Sequence, residues 1–129
     1  MTVSSEDPQF DRKADAFDGL QGSSWRAKED DSEPWLRIEL GKGLRLKELW
    51  LSPAAASETL RAQCVLFDTV ELRLNGSKAP LVITLERDPR LKTKFTLPKP
   101  ILVRELELRV PDPPREPGKR VGFAEIEGR

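Results

Sequence analysis

The chain has 129 residues, enough for one domain with its own core, and its 22 basic and 22 acidic side chains leave a formal net charge of zero. That balance removes any overall pull towards nucleic acid or an anionic membrane. The absence of histidine removes Ser-His-Asp and Cys-His catalysis within the chain, and the single cysteine, Cys64, removes an internal disulfide and a cysteine-based zinc site.

The flanks of Cys64, AQCVLFD, are apolar and strand-like, so the thiol reads as buried and inert. No apolar run approaches the length of a membrane span, and MTVSSEDPQFDRK lacks the basic start and apolar core of a signal peptide. The expectation is either a cytosolic protein or a module of a larger one that carries the targeting segment, with no membrane insertion.

In chain order, the first feature is ADAFDGLQGSSW (14–25), where an Asp-Gly turn, two serines and Trp25 crowd into a dozen residues. A turn alone needs only Asp18 and Gly19. The hydrophilic stretch RAKEDDSEPW (26–35) follows, and its carboxylates, Glu29, Asp30, Asp31 and Glu33, have nothing apolar beside them to raise a pKa for acid–base work. LRIEL (36–40) and LRLKELWL (44–51) carry the two-residue period of half-buried strands, separated at 41–43 by Gly-Lys-Gly, a hairpin-type signal. SPAAASETLRAQ (52–63) reads equally as a helical turn or a long loop. VELRL (70–74), PLVITL (80–85), KFTL (94–97), LELRV (106–110) and VGFAEIE (121–127) complete the strands, with an Asn-Gly-Ser hairpin signal at 75–77 and a long loop, PDPPREPGKR, at 111–120. The prolines, including Pro34, Pro53, Pro89, Pro98 and Pro100, fall in the gaps between these runs. About seven short strands in one chain of this size predict an all-β, antiparallel β-sandwich spanning residues 1–129 as a single domain.

Of the eight aromatic residues, Phe17, Trp50, Phe67 and Phe95 lie in or beside strand-like runs and are expected in the core. Phe10, Trp25 and Trp35 remain as platforms on which a ligand could stack, although Trp25 also reads as a plug for the end of the sandwich. The polar groups available beside them are Arg26, Lys28, Arg61, Arg115 and Arg120, for each of which a solvated surface position is the plain alternative.

Three segments occur in an order that resembles a known family: AFDGLQGSSW, then PWLRIELGKGLRLKELWL, then a terminal VGFAEIE. Together they resemble the discoidin, or coagulation-factor type C, superfamily of galactose-binding-like jelly rolls. Asp18, Gly19 and Trp25 match its opening turn, Trp35, Leu40 and Gly41 its strand ending in Leu-Gly, and Ala124, Glu125 and Ile126 its closing strand. Within it, SETLRAQ, VELRLNG and FTLPKPILVRELELRV are most similar to the bacterial NADase-type glycan-binding domains, but Gln63, Cys64 and Val65 replace the Asn and Arg common there.

The resemblance implies a jelly-roll sandwich and a non-catalytic glycan-recognition module of a larger bacterial protein, extracellular or in the cell envelope if its parent is secreted. It implies a monomeric module whose contact surfaces are the end loops 20–34, 52–64 and 111–120, with Trp25, Arg26, Trp35, Arg61 and Arg115 as ligand-binding candidates. It also implies a structural calcium ion, a hard cation suited to oxygen ligands from Phe17, Asp18, Leu20, Ser23, Ala124 and Glu125. Leu20 and Ser23 depart from the family's usual Asn or Asp and Thr without removing a carbonyl. The plain alternative is that Asp18 caps its own turn and Glu125 pairs with an arginine. The alternative function is a protein–protein or structural adaptor of the same fold, since function lives in sites grafted on a fold.

Overall fold

Alternation of apolar and charged residues becomes antiparallel sheet in the computed structural model, which describes residues 2, 3, 5, 25–28, 31–53, 64–88, 91–114 and 119–129, with the backbone alone for Thr2, Trp25, Arg26, Ala124 and Glu125. The described strands are β1 (Thr2–Val3), β2 (Trp25–Arg26), β3 (Trp35–Pro53), β4 (Thr69–Leu74), β5 (Leu81–Thr84), β6 (Thr93–Arg109) and β7 (Gly122–Gly128). Their order is β2-β7-β3-β6-β4-β5, and β1 joins the first residues of β3.

The long strands β3 and β6 run antiparallel along their whole length and are shared between two leaves. One leaf takes β1, the start of β3, the end of β6, β4 and β5; the other takes β2, β7, the end of β3 and the start of β6. The result is a curled sheet closing as a β-sandwich, with Leu36, Leu72, Leu106 and Leu108 from one leaf and Leu49, Leu51, Phe123 and Ile126 from the other buried in one core. Each such fully buried side chain contributes ~1.5–3 kcal/mol of transfer free energy.

Two bulges make the curl. Residues 40–43 of β3 stand against Arg104 alone, and residues 97–100 of β6 stand against Lys47 alone. Each inserts an odd number of extra residues, which flips the facing of one strand while its partner keeps phase. The inward pairs therefore remain matched along the ribbon: Leu36 with Leu108, Ile38 with Leu106, Leu44 with Val103, Leu46 with Ile101, Leu49 with Phe95 and Leu51 with Thr93.

These bulges correct three expectations. Gly-Lys-Gly at 41–43 is a bulge inside one strand, not a turn between two; Gly43 has φ +76°, and a Cβ there would stand 3.0 Å from Leu102 Cδ1. The segments 94–97 and 106–110 are one strand, and Pro98 and Pro100 lie within it rather than in a gap, on the bulged residues that need no ladder N–H. Trp50 is not in the core: the facing flip at Lys47 sends Leu49 and Leu51 inward and leaves Trp50 half-buried on the outer face. Phe95 is half-buried against the core, and Cys64 is buried and in no disulfide. Most of segment 52–63, with its expected helical turn or loop, lies outside the described residues, as does Phe17.

The Asn-Gly signal is a primed turn, with Asn75 at φ 53° and Gly76 at φ 72°, closed by Ser77 N donating to Leu74 O at 3.0 Å. Asn75 also staples β6: its Nδ2 donates to Leu102 O at 3.0 Å and its Oδ1 accepts from Arg104 N at 2.8 Å. Asn75→Gly keeps the backbone conformation and loses those bonds, so it is expected to cost about 1 kcal/mol, and Asn75→Ala about 2 kcal/mol, read from urea midpoints.

Candidate functional site

The ribbon arches over one end of the sandwich, where the Asn75 turn sits, so both of its termini arrive at the other end. Val110 N donates to Pro34 O at 2.9 Å, Ala27 N to Val121 O at 2.8 Å and Val65 N to Arg120 O at 2.8 Å. These bonds tie Pro34 and Ala27 of the expected contact loop 20–34 to the residues on either side of loop 111–120, and Arg120 of that loop to Val65, just after loop 52–64. Asp31 accepts from the Ser5 hydroxyl at 2.6 Å and from Glu33 N at 3.2 Å. Asp31 is thereby a loop brace.

At this end a cleft of about 460 Å³ opens beside the β4–β5 hairpin. Its apolar wall is Pro53, Leu66, Leu85 and Pro114, with Phe67 behind it; its polar rim is Asp68, Thr84, Glu86 and Arg87. Leu66 is 51% exposed, whereas Phe67 is buried and meets Phe123 edge-on at 5.5 Å between ring centroids. Phe67 is thus the one aromatic among the described lining residues, and it is buried. Leu85 N donates to Asp68 O and Glu86 N to the hydroxyl of buried Thr93, both at 2.8 Å, which holds the acidic rim residues on rigid backbone. The Arg87 guanidinium is exposed and makes no ion pair or hydrogen bond among the described residues.

The ligand-binding candidates from the sequence fall in different places. Trp35 opens β3 on the outer face opposite Arg109, with the Arg37 guanidinium 5.3 Å from its ring centre, and it does not line the cleft. Trp25 and Arg26 pair through their backbones with Phe123 and Gly122. Lys28 is exposed, and Arg120 is half-buried beside Cys64. Arg61, Arg115 and Phe10 lie outside the described residues. The cleft residues Leu66, Asp68, Thr84, Glu86 and Arg87 are not among those candidates. Glu86 and Arg87 have one sequence signal, the short polar connection ERDPR (86–90) after an apolar run, and Leu66, Asp68 and Thr84 have none.

Another aromatic cluster occupies the outer face of the second leaf. Trp50 donates its indole N–H to Glu48 at 3.3 Å, and Lys94 Nζ and the Arg129 guanidinium stand 5.6 Å and 5.3 Å from its ring centre. Arg129 is also ion-paired with Glu127 at 3.0 Å. The cations here are already engaged with the ring and a carboxylate, which makes the cluster a surface clasp of β3, β6 and the chain end.

For the expected metal ligands, Phe17, Asp18, Leu20 and Ser23 lie outside the described residues, and the described residues contain no group of three or more acidic or cysteine side chains placed to hold an ion. The described backbone places β2, which follows the first expected ligand residues in sequence, beside β7, which holds Ala124 and Glu125. Trp25, two residues after Ser23, pairs with Phe123, the residue before Ala124. Ser52 pairs with Glu125 and Pro53 with Phe123, so Ala124 is bulged out of the β3 ladder. A bulged residue has a carbonyl free of strand pairing on that side, a suitable oxygen for a hard cation.

No family model and no curated protein matches the sequence. Solved structures do match over nearly its whole length. A family 32 carbohydrate-binding module from Clostridium perfringens NanJ, in complex with galactose, is 16% identical with a TM-score of 0.68, covering 98% of this chain and 90% of that one. A fucose-binding module of Streptococcus pneumoniae is 18% identical with a TM-score of 0.61, covering 99% and 90%. A chitosan-binding module from a chitosanase/glucanase of Paenibacillus sp. IK-5 is 13% identical with a TM-score of 0.66, covering 99% and 92%. At such identities the likeness is one of shape, and it agrees with the two-leaf curl built above from the bulges and pairings. The chain is an antiparallel β-sandwich of the galactose-binding-like jelly-roll fold.

Proposed function

We propose that this chain is a non-catalytic carbohydrate-binding module, an accessory part of a larger bacterial protein, and that the end cleft is where it holds a sugar. One observation carries the reading: a preformed cleft with an aliphatic wall faces a rim of one guanidinium, two carboxylates and a hydroxyl, the mix of surfaces a pyranose presents in reverse. The ligands of similar folds, galactose, fucose and chitosan, support it. With a secreted parent, the module would work outside the cell or in its envelope.

Without an exposed aromatic on the described wall, affinity for a single sugar is expected to be weak, with a Kd of about 1 mM. Titration against a panel of neutral mono- and disaccharides tests this. Leu66→Asp, which puts a charge on the exposed wall, is expected to abolish binding with the thermal midpoint unchanged; undiminished binding would move the site elsewhere.

A second reading, a protein adaptor, draws on the edge of β5 that no described strand covers, where Val82 is 60% exposed beside the cleft residue Thr84. A partner that binds through that edge is expected to be lost on Val82→Pro and unaffected by Leu66→Asp.

The module would also hold calcium through carbonyl and carboxylate oxygens of Phe17, Asp18, Leu20, Ser23, Ala124 and Glu125, with the ion tying the loop before β2 to β7. The Ala124 bulge and the β2–β7 pairing support this. Calcium at a hundredfold excess over its Kd is expected to raise stability by ~3 kcal/mol relative to chelator, and Asp18→Ala is expected to remove the difference. Identical melting curves with calcium and chelator would leave Asp18 as a turn cap.

A further inference from the structure

The charged rim of the cleft carries more information than the presence of a sugar. Asp68 and Glu86 stand on neighbouring backbone, joined through the bond from Leu85 N to Asp68 O, and Arg87 follows Glu86 directly. The described rim therefore offers two acceptor-only carboxylates against one donor-only guanidinium, with Thr84 able to act either way. Sugar hydroxyls satisfy both kinds of group at once, because each donates one hydrogen and accepts others. A ligand carboxylate or sulfate satisfies only the arginine and is repelled by the two acids.

Resting on the glycan reading of this cleft, we propose that Arg87, Asp68 and Glu86 together select a neutral, polyhydroxylated sugar and exclude its anionic counterparts. Arg87 donates to adjacent ring hydroxyls, and the two carboxylates accept from hydroxyls while acting as a charge filter. Arg87 is suited to this because its guanidinium has no partner among the described residues, so no ion pair need break when the ligand arrives. The rim is also set in advance, since Glu86 N is tied to the buried Thr93 hydroxyl.

The test compares galactose, fucose and N-acetylgalactosamine, and for whichever binds best, its sugar-acid counterpart with a carboxylate at C6. Titrations use the wild type, Arg87→Ala and the double variant Asp68→Asn/Glu86→Gln, all at exposed positions. The wild type is expected to prefer the neutral sugar by at least about tenfold. Arg87→Ala should weaken the neutral sugar by about tenfold, and the double variant should narrow the gap between neutral and acidic sugar to about threefold or less. A wild type that binds both equally, or a gap that survives the double variant, overturns the charge filter while leaving the cleft as a sugar site. Failure of every sugar to bind the folded protein overturns the glycan reading itself, and the filter with it.

Discussion

Truncation of Phe123 to alanine is expected to lower stability by about 3–5 kcal/mol, measured from the urea midpoint at constant slope. Phe123 is fully buried, pairs through its backbone with Trp25 on β2 and Pro53 on β3, and packs edge-on against Phe67 with the ring planes at 80°. Its loss removes transfer energy, opens a cavity and ends an aromatic pair worth about 1 kcal/mol by itself. Phe67 forms the back of the cleft, so any binding there should weaken even below the unfolding transition. Phe123→Leu, which keeps most of the volume, should cost no more than about 1.5 kcal/mol. A cost below about 1 kcal/mol for Phe123→Ala would mean that the two leaves do not close on this ring.

Glu107→Ala is expected to cost about 2 kcal/mol, the second large effect. Glu107 is a buried carboxylate on the outer face of the first leaf, and it bridges two strands by accepting from Arg37 at 3.0 Å and from Arg73 at 3.4 Å. Breaking a wholly buried pair would cost more, but the Arg37 and Arg73 side chains are 38% and 28% exposed and can recover water. In a double-mutant cycle, Arg73→Met with Glu107→Ala should show coupling of about 1 kcal/mol that shrinks in 1 M salt. Simple additivity would make the row of charges decorative. With coupling, the row Arg37, Glu107, Arg73 also fixes the order β3-β6-β4, since a one-residue slip on β6 brings a leucine to face the two arginines.

That row was legible beforehand in part. LRIEL, VELRL and LELRV each announce a strand with leucines on one face and charges on the other, because burying one face of a pleated strand forces a period of two. Which arginine meets which glutamate depends on register, and register is a contact between segments up to 70 residues apart. Asn75 and Gly76 announced their turn for a local reason, the need for positive φ at both positions.

The candidate site was legible only as an address. The end loops were expected as contact surfaces, and the described residues at their edges lie at one end of the sandwich. The residues that line the cleft come from four separate stretches, Pro53, Leu66 to Asp68, Thr84 to Arg87, and Pro114, none of which is distinctive alone.

Trp50 marks the boundary between what each level decides. In ELWL every residue after Glu48 is large and apolar, and no local rule says which one faces out. By itself the sequence determined the strand-forming runs, the Asn-Gly turn, the lack of histidine and the balance of charge, because each is set by residue type or by spacing within a few positions. Tertiary structure alone decided that Gly-Lys-Gly and the Pro98, Pro100 stretch are bulges, that Trp50 lies outside, and that Leu66, Asp68, Glu86 and Arg87 share one cleft. The physical reason is that a bulge is defined by what stands opposite it, and a cleft by what the chain brings back to the same end.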